Sequence, residues 1–344
     1  MLLITIMEIV MEDKVLLAHG SGGKLSHNLI AKNFIPAFGN PLLNKLDDSA
    51  AFELSGRLAF TTDSYTVSPI FFPGGDIGKL AVNGTVNDLA MIGATPLYLS
   101  LSFIIEEGFP IAELGKIVNS INQAADEAGV KIVTGDTKVV NQGSADKLFI
   151  NTSGVGMVAP GVDISGANAI PGDKVIVSGS LGNHGIAVLS QREGMEFQLP
   201  IDSDCAPLNK LVAEMLEVSA NIHCLRDPTR GGLATTLNEF AMQSQVGIRI
   251  EEKSIPINKA VMAACELLGF DPLYMANEGK LVAIVAPTDA DKVLAKMRQN
   301  RYGTEANIIG EIIEEHSRRV IMKTRLGSSR IVDMPVGELL PRIC

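Results

Sequence analysis

A segment rich in Gly, Pro, Ala and Asn, residues 160–172, separates two halves of the sequence that each alternate strand-like and helix-like stretches. Clusters of these residue types interrupt regular structure, so the segment predicts a boundary. The chain has 344 residues, which is the length of about two ordinary domains. We therefore expect one domain over residues 1–160, a second over 161–333, and a flexible, exposed C-terminal tail over 334–344.

The order of the predicted elements decides the fold class. Residues 50–62 predict a hairpin, residues 76–92 predict a helix, and residues 111–128 predict a helix that ends at Gly129. In the second half, a strand over 173–178 leads through a glycine-rich turn into another helix. Because hairpins interrupt the alternation, the sequence favours an α/β fold with mixed (α+β) sheets over a simple doubly wound sheet.

The composition excludes several kinds of partner. Lys and Arg total 29 and Asp and Glu total 39, and the resulting charge of −10 argues against nucleic acid as a partner. Residues 1–10 are apolar but too few to span a bilayer, so we expect no membrane anchor and interpret them as a strand or an alternative translation start. Four scattered cysteines without a CxxC pair indicate reduced thiols, and we expect a cytoplasmic protein.

Acidic residues recur beside short apolar strands. A carboxylate at a strand end suits a hard cation such as magnesium, although for any single residue a turn or a helix cap is the commoner role. Their recurrence in similar settings favours a cation site for the set. The residues are Asp47, Asp48, Asp63, Asp88, Asp136 and Asp227.

The predicted helix over 76–92 is largely apolar but carries Asn83 and Asn87, which lie four residues apart and share one face, with Asp88 adjacent. Such residues are poor in a helix interior and costly to bury without partners. The stripe is either a solvated face or a polar surface turned toward a bound metal–phosphate group. The local sequence does not separate these two interpretations.

Several turns carry polar residues that suit a phosphate site. The glycine-rich loop before the first helix lets the backbone approach an anion closely, and the following helix start offers free N–H groups. A structural turn is the alternative for this loop, and an exposed ion pair is the alternative for Asp136 and Lys138 in VTGDTK. Three turns of the second half, around His184, Arg226 and Glu278, resemble the rim of a site. The loop consists of Gly20, Ser21, Gly22, Gly23 and Lys24.

The last residue of the chain is Cys344, and Arg342 lies two positions before it. A nearby arginine favours the thiolate form of a cysteine. A thiol on a mobile tail can reach two separate sites, which suits a covalent carrier, whereas the alternative is an inert thiol on a frayed end. We expect the other three cysteines, at positions 205, 224 and 265, to be small buried hydrophobic residues.

Taken in order, these motifs resemble those of the hydrogenase maturation proteins of the HypE family. The resemblance runs from about residue 13 to residue 344. Its glycine motifs are shared with the wider aminoimidazole ribonucleotide synthetase-like ATP-binding superfamily, whereas the terminal PRIC is specific to HypE. The motifs are LAHGSGGK, LDDSAAF, the long segment from FTTDSYT to MIGATP, VTGDTKVV, RDPTRGGLA, MANEGK and PRIC.

The resemblance implies a two-domain fold whose N-terminal domains pair into a homodimer, with ATP and Mg bound in the cleft between the domains. It also implies that the carbamoyltransferase HypF loads a carbamoyl group onto the terminal cysteine. The protein then uses ATP to dehydrate this group to a thiocyanate. The cyano group passes to iron on the HypC–HypD complex, for assembly of the [NiFe]-hydrogenase centre.

Site residues follow from the resemblance position by position. Cys344 is then the carrier nucleophile, Glu278 the base, Lys138 an orienting or relaying group, and His184 a neighbour of these groups. Asn87 and the loop from Gly20 to Lys24 would hold phosphates. The carboxylates implied to bind magnesium and ATP are Asp48, Asp63, Asp88 and Asp227. Asp136 is implied to contact the nucleotide but not the metal.

Two alternatives remain at this stage. Another enzyme of the same superfamily is the first, although selenophosphate synthetase would carry a reactive Cys or selenocysteine in the loop that holds Ser21, and thiamine-phosphate kinase needs no terminal thiol. A non-catalytic carrier or scaffold is the second. The dense set of Asp, Lys and Glu residues argues against it, because a passive carrier does not require them.

Overall fold

The computed structural model describes residues 13–195, 200–337 and 340–344. The apolar segment over residues 1–10, interpreted above as a strand or an alternative start, lies outside the described residues. Two mixed sheets dominate the structure, one in each half of the chain. The fold class predicted from the sequence, α/β with mixed sheets, is confirmed.

The first sheet has four strands in the order β1-β6-β4-β5, in which only β4 and β5 run parallel. Helices α3 and α4 cover one of its faces with an apolar core that also contains Ile343 from the C-terminus. The strands and helices of this half, including the small pair β2 and β3, are β1 Arg57–Tyr65, β2 Phe71–Phe72, β3 Gly75–Asp76, β4 Ala94–Glu106, β5 Lys131–Val140, β6 Leu148–Val158, α1 Lys24–Leu29, α2 Ile35–Phe38, α3 Ile77–Met91 and α4 Ile111–Ala128.

The second sheet has seven strands in the order β13-β12-β9-β11-β7-β10-β8, in which only β12 and β9 run parallel. Apolar clusters pack on both faces of this sheet. Its elements are β7 Lys174–Val177, β8 Ile222–Arg226, β9 Gly247–Glu251, β10 Val282–Val285, β11 Asn307–Ile313, β12 Val320–Lys323, β13 Ser329–Ile331, α5 Asn183–Glu193, α6 Asn209–Val218, α7 Gly232–Ser244, α8 Lys259–Leu268 and α9 Ala290–Met297. Within the described residues, no helix is both long enough and apolar enough to cross a membrane.

The hairpin predicted over residues 50–62 is wrong. Residues 51–55 form no strand, and β1 begins at Arg57. Its partner is β6, with Arg57 opposite Val158 and Tyr65 opposite Ile150. The local alternation and the Ser–Gly turn suggested a short-range pairing, but the sheet instead takes a strand from almost a hundred residues downstream.

Helix α3 is the element that positions the site. Asp76 caps its start by accepting a hydrogen bond from the Lys79 backbone N–H at 2.9 Å, as expected for an N-cap carboxylate. Nearly every residue of the helix is buried, because the first sheet packs on one side and the segment before α6 packs on the other. The helix thus lies between the two halves of the chain and carries Asp88 into the space between them.

The C-terminal segment lies against the first half of the chain. The tail was expected to be exposed, but in this structure Ile343 is only 3% exposed. The backbone N–H of Thr66 donates to the Cys344 carbonyl oxygen at 3.0 Å, and that of Ser68 donates to the Arg342 carbonyl at 3.1 Å. The apolar side chain of Ile343 and these backbone groups explain why the segment docks rather than extends into water.

Candidate active site between the two sheets

Five of the residues singled out in the sequence line one cavity of about 220 Å³, called here the carboxylate cavity. Asp63 comes from β1 and Asp88 from α3, whereas Asp227 and Glu278 come from loops of the second half. Cys344 also lines this cavity. The fold therefore brings the terminal thiol together with four acidic side chains that are far apart in the sequence.

The carboxylates of the cavity repel one another. The pKa of Asp88 is raised to about 6, chiefly by burial and to a smaller extent by the neighbouring Asp63, against the opposing effect of a hydrogen bond from Thr61 at 2.9 Å. Burial also raises the pKa of Asp227 to about 7, with a further contribution from Asp88. Like charges at short range favour proton retention or a bound cation.

Glu278 is the most deeply buried acid of the cavity, at 2% exposure. Burial raises its pKa well above the ordinary range, and the charges of Asp227 and Asp204 raise it further. Its Oε1 atom is buried and has no hydrogen-bond partner among the described residues. A carboxyl group held in this way is a strong proton acceptor once it is ionised.

Asp204 positions Glu278 through the main chain, since its Oδ1 atom accepts a hydrogen bond from the Glu278 backbone N–H at 3.0 Å. This residue was absent from the sequence-based site. The only signal for it was a polar stretch, residues 202–204, directly before a buried segment and a helix. Such a stretch does not indicate a partner more than seventy residues away.

We expect the Asp227→Asn variant to have a higher free energy of unfolding than the wild type at pH 8 without added cations, by about 1–2 kcal/mol because the side chain is only partly buried. The folded-state pKa of Asp227, about 7, lies above its ordinary value of 3.8, so at pH 8 the carboxylate is ionised in both states and its charge destabilises the folded one. Between pH 7 and 4 the folded protein retains a proton that the unfolded chain has lost, and this cost disappears. The stabilisation should therefore shrink as the pH falls from 7 towards 4. Urea unfolding at several pH values measures this, and an equal or lower stability of the variant at pH 8 would contradict it.

A wider cleft of about 740 Å³ adjoins the carboxylate cavity and shares Asp88 and Asp227 with it. Its wall includes Arg226 and Arg230, and the start of α7 lies beside them at Gly231. Backbone N–H groups at a helix start and arginine side chains both favour bound anions. The cleft thus pairs an anion-binding wall with the acidic cavity.

The glycine at the start of α7 is required by close packing. Gly232 has a φ of +59°, and a Cβ atom placed there would lie 2.5 Å from the Met275 carbonyl oxygen. A side chain would therefore push the helix start away from the loop that leads to Glu278. The RDPTRGG motif owes its second glycine to this contact.

His184, which the resemblance placed beside the catalytic groups, contacts the main chain of the residue before Cys344. Its Nε2 atom lies 2.8 Å from the Ile343 carbonyl oxygen, and its Nδ1 atom lies 2.8 Å from the Ser203 hydroxyl. Burial lowers its pKa, so the neutral ring donates from Nε2 and accepts at Nδ1. In this structure His184 positions the C-terminal segment rather than lining the carboxylate cavity.

Both interpretations of the polar stripe on α3 differ from the structure. Asn87 is 1% exposed, donates to the Ala206 carbonyl at 3.1 Å and accepts from the Leu208 backbone N–H at 2.8 Å. Asn83 is equally buried and donates to the Cys205 sulfur at 3.4 Å. The Asn87 amide satisfies backbone groups of an irregular buried segment, so its polar atoms are used within the protein and hold the two halves together.

A second group of expected site residues lies around β5, outside the carboxylate cavity of one chain. Asp136 and Lys138 share one side of the strand and form an ion pair in which both side chains are more than half exposed. The glycine-rich loop packs closely on the same strand. A Cβ atom on Gly20 would lie only 2.4 Å from the Val139 backbone nitrogen, so a side chain does not fit there. Asp48 is exposed on an irregular segment. Most residues of the loop are also exposed, namely Ser21, Gly22, Gly23 and Lys24.

Within residues 13–195, 200–337 and 340–344, no group of three or more His, Cys, Asp or Glu side chains is arranged to hold a metal ion. Mg²⁺ is usually bound by one or two carboxylates together with phosphate oxygens and water. Asp88 and Asp227, whose pKa values are raised by burial and by neighbouring carboxylates, fit this kind of site. The donors present therefore suit magnesium that arrives with a polyphosphate, but not a site built by the protein alone.

Comparison with known proteins identifies the family. Residues 46–158 match the AIR synthase related protein, N-terminal domain, and residues 171–323 match its C-terminal domain. Carbamoyl dehydratase HypE of Cupriavidus necator is 55% identical over 337 residues, which are 97% of this chain and 96% of that protein.

Two solved structures agree with this assignment. The crystal structure of hydrogenase maturation protein HypE in complex with ATP is 50% identical, with a TM-score of 0.93, and the match covers 96% of this chain and 99% of that one. In the crystal structure of the HypE–HypF complex, the matching chain is 51% identical with a TM-score of 0.80, over 91% of this chain and 100% of that one. The chain therefore belongs to the HypE family of carbamoyl dehydratases, within the AIR synthase related proteins.

Proposed function

We propose that this protein uses ATP to dehydrate an S-carbamoyl group on Cys344 to a thiocyanate, which supplies the cyanide ligand of the [NiFe]-hydrogenase iron. The observation that carries the proposal is the position of Cys344 in the same cavity as Glu278, Asp63, Asp88 and Asp227. A group carried on the thiol of Cys344 would meet a base and a cation site together.

The carbamoyl thioester and ATP give the thiocyanate, ADP, phosphate and one proton. The carbonyl oxygen of an amide-like group is a poor leaving group, so transfer of the γ-phosphoryl group to it converts it into phosphate, which leaves readily. The nitrogen loses both of its hydrogens as the C–N bond becomes triple, so a positioned base is needed.

Glu278 suits the role of this base. It is buried and lines the cavity beside Cys344. Its raised pKa follows from burial and from the carboxylates around it. The site must also exclude water from the activated carbon, because water would hydrolyse the activated intermediate.

The nucleotide would occupy the wide cleft, where Arg226, Arg230 and the start of α7 suit its phosphates. A HypE relative has been crystallised in complex with ATP, which supports ATP as the nucleotide. Asp63, Asp88 and Asp227 would hold magnesium against those phosphates. When bound, the metal would neutralise charge on the triphosphate. Because the carboxylates are partly buried and repel one another, a dication also removes an unfavourable interaction that already exists in the protein.

The protein is proposed to act as a homodimer through the face of the first sheet that α3 and α4 leave uncovered, called here the open face. Leu58, Phe60 and Ile104 are exposed on it by 50%, 72% and 45%. Large apolar side chains grouped on a sheet face are typical of an interface. Asp136 and Lys138 pair with Ser102 and Ile104 of β4, so they lie on this face as well. A second copy seated there would bring Lys138 and the neighbouring glycine-rich loop into a shared site.

We expect Phe60→Asp to convert the dimer into monomers, because a charge in an apolar interface is costly to bury. Light scattering coupled to size-exclusion chromatography measures the mass. Leu326→Asp, at an exposed apolar residue between β12 and β13, should leave the mass unchanged. A dimer that persists in Phe60→Asp would show that the open face is not the interface.

The proposed partners are the carbamoyltransferase HypF, which loads Cys344, and the HypC–HypD complex, which receives the cyano group on iron. A HypE relative has been crystallised with HypF, which supports the first of these. We propose the cytoplasm as the location of this exchange. The identity of 55% to a carbamoyl dehydratase favours this function over those of selenophosphate synthetase and thiamine-phosphate kinase.

Intact mass after incubation with the carbamoyltransferase, carbamoyl phosphate and ATP tests the proposal. We expect a first product heavier by one carbamoyl group and a second lighter than the first by one water, both mapping to Cys344 in peptide digests. When ATP is omitted, the reaction should stop at the carbamoyl adduct, and no dehydrated product should form. A carbamoyl adduct that never loses water in the presence of Mg-ATP would indicate a carrier without catalytic activity and would overturn the proposal.

A further inference from the structure

Arg192, in the last turn of α5, bonds to two main-chain carbonyl groups that belong to different parts of the chain. Its Nε atom donates to the Ser68 carbonyl oxygen at 2.8 Å, and its Nη2 atom donates to the Arg342 carbonyl oxygen at 2.8 Å. Ser68 follows β1 in the first half, whereas Arg342 lies two residues before the terminal thiol. One guanidinium group thus joins the second half of the chain, the first half and the C-terminal segment.

Several other hydrogen bonds of the segment each join it to one half of the chain only. Thr66 and Ser68 donate backbone N–H groups to Cys344 and Arg342, and the side chain of Arg342 donates to the Thr66 carbonyl oxygen at 2.8 Å. These bonds join the segment to the stretch after β1. His184 lies on α5 and bonds to the Ile343 carbonyl through one ring nitrogen. Its other ring nitrogen bonds to the Ser203 hydroxyl of the second half and not to the stretch after β1.

The chemistry of the contact explains why an arginine is present. A guanidinium group is planar and presents its N–H donors in a fixed fork, so two carbonyl oxygens can be held at once with little loss of side-chain freedom. A charged donor also makes stronger hydrogen bonds than a neutral one. The acceptors are main-chain carbonyls, so Arg192 holds the path of the backbone and not a particular side chain of the segment.

We propose that Arg192 is a positioning residue that holds the C-terminal segment in the cleft, so that Cys344 stays in the carboxylate cavity. Arg192 lines neither the carboxylate cavity nor the wide cleft. Its loss should shift the protein towards conformations in which the segment leaves the cleft. The position of the segment is independent of the chemistry, whereas the effect on dehydration rests on the proposed function.

Release of Cys344 by carboxypeptidase Y, followed by intact mass, tests the proposal on the full-length protein. Carboxypeptidase Y needs an accessible C-terminus. In the docked state the Thr66 backbone N–H donates a hydrogen bond to the terminal Cys344 carbonyl oxygen. Cleavage therefore follows the population of the released state when docking is fast. We expect Arg192→Ala to lose Cys344 about tenfold faster than the wild type, equivalent to about 1.4 kcal/mol.

Two variants and one kinetic measurement complete the test. Gln191→Ala, at an exposed neighbour on the same helix, should behave as the wild type. Arg192→Lys keeps the charge but not the fork and should fall between the two. In the dehydration assay, with the rate expressed per folded molecule from circular dichroism, Arg192→Ala should lower the maximal rate and leave the ATP concentration for half-maximal rate unchanged. A loss of folded protein alone would leave the rate per folded molecule unchanged, and damage to the ATP site would raise the ATP concentration.

The outcomes separate the two proposals. Carboxypeptidase rates equal to the wild type in folded Arg192→Ala, or in Arg192→Lys when the Ala variant does not fold, would overturn the role of Arg192. Faster release in Arg192→Ala supports it even when no carbamoyl adduct is found in any variant. In that case the proposed function fails, while the role of Arg192 stands.

Discussion

Cys344→Ala is expected to abolish both the carbamoyl adduct and its dehydration while the fold and ATP binding persist. The docked segment is held through main-chain groups, with the Cys344 carbonyl bonded to the Thr66 N–H and the Ile343 carbonyl bonded to His184. An alanine keeps these bonds and loses only the sulfur. Intact mass measures the adduct, and calorimetry measures ATP binding.

The remaining thiols cannot replace Cys344. Burial raises the pKa of Cys224 to about 12 and that of Cys265 to about 11, and it raises the pKa of Cys205 as well. A thiol kept protonated inside the protein is a poor nucleophile. Cys265→Ala is the matched control and should still accept the carbamoyl group. An adduct on the Cys344→Ala protein, at any other residue, would remove the carrier role from the terminal thiol.

The elements that the sequence predicted well depend on local signals. The helix over 111–128 was predicted from its apolar spacing and from Gly129, and α4 spans Ile111–Ala128, with Gly129 at a φ of +77°. The helix over 76–92 is likewise present as Ile77–Met91. Caps, glycine stops and apolar periodicity act within a few residues, so they can be read without knowledge of the rest of the fold.

The errors concern partners that are distant in the sequence. The strand β1 pairs with β6 and not with a neighbouring segment. The amide of Asn87 meets backbone groups at positions 206 and 208. The terminal segment is docked by Thr66, His184 and Arg192. No local sequence pattern predicts these long-range contacts, because they form only when the two halves of the chain fold against each other.

The candidate site was predicted as one set, but the structure of a single chain divides it into two groups. Asp63, Asp88 and Asp227 converge because each lies at the edge of the space between the sheets. Asp136 and Lys138 lie instead on the open face of the first sheet. The residue types and their recurrence pointed to a cation and phosphate site, whereas their distribution between the cavity and the open face depends on topology.

Glu278→Gln is expected to accept the carbamoyl group at the wild-type rate and to convert it at least about 10²-fold more slowly, since general base catalysis contributes at least that factor. Glutamine keeps the volume of the side chain. The backbone N–H of Glu278 still donates to Asp204, and its carbonyl still accepts from the Ala206 N–H, so the loop should remain in place. Single-turnover conversion of the loaded protein, followed by mass, separates loading from dehydration.

The pH dependence gives the same prediction a second measurement. A base acts only when ionised, so the wild-type conversion rate should rise with pH through the raised pKa of Glu278, which burial and the charges of Asp227 and Asp204 set above that of an ordinary glutamate. The Gln variant should lose this rise, while Glu266→Gln, at an exposed position on α8, should keep both the rate and its profile. A Gln variant that converts the adduct at the wild-type rate, with the same dependence on pH, would mean that the protons leave to another group, and the acids of the carboxylate cavity would then serve the cation alone.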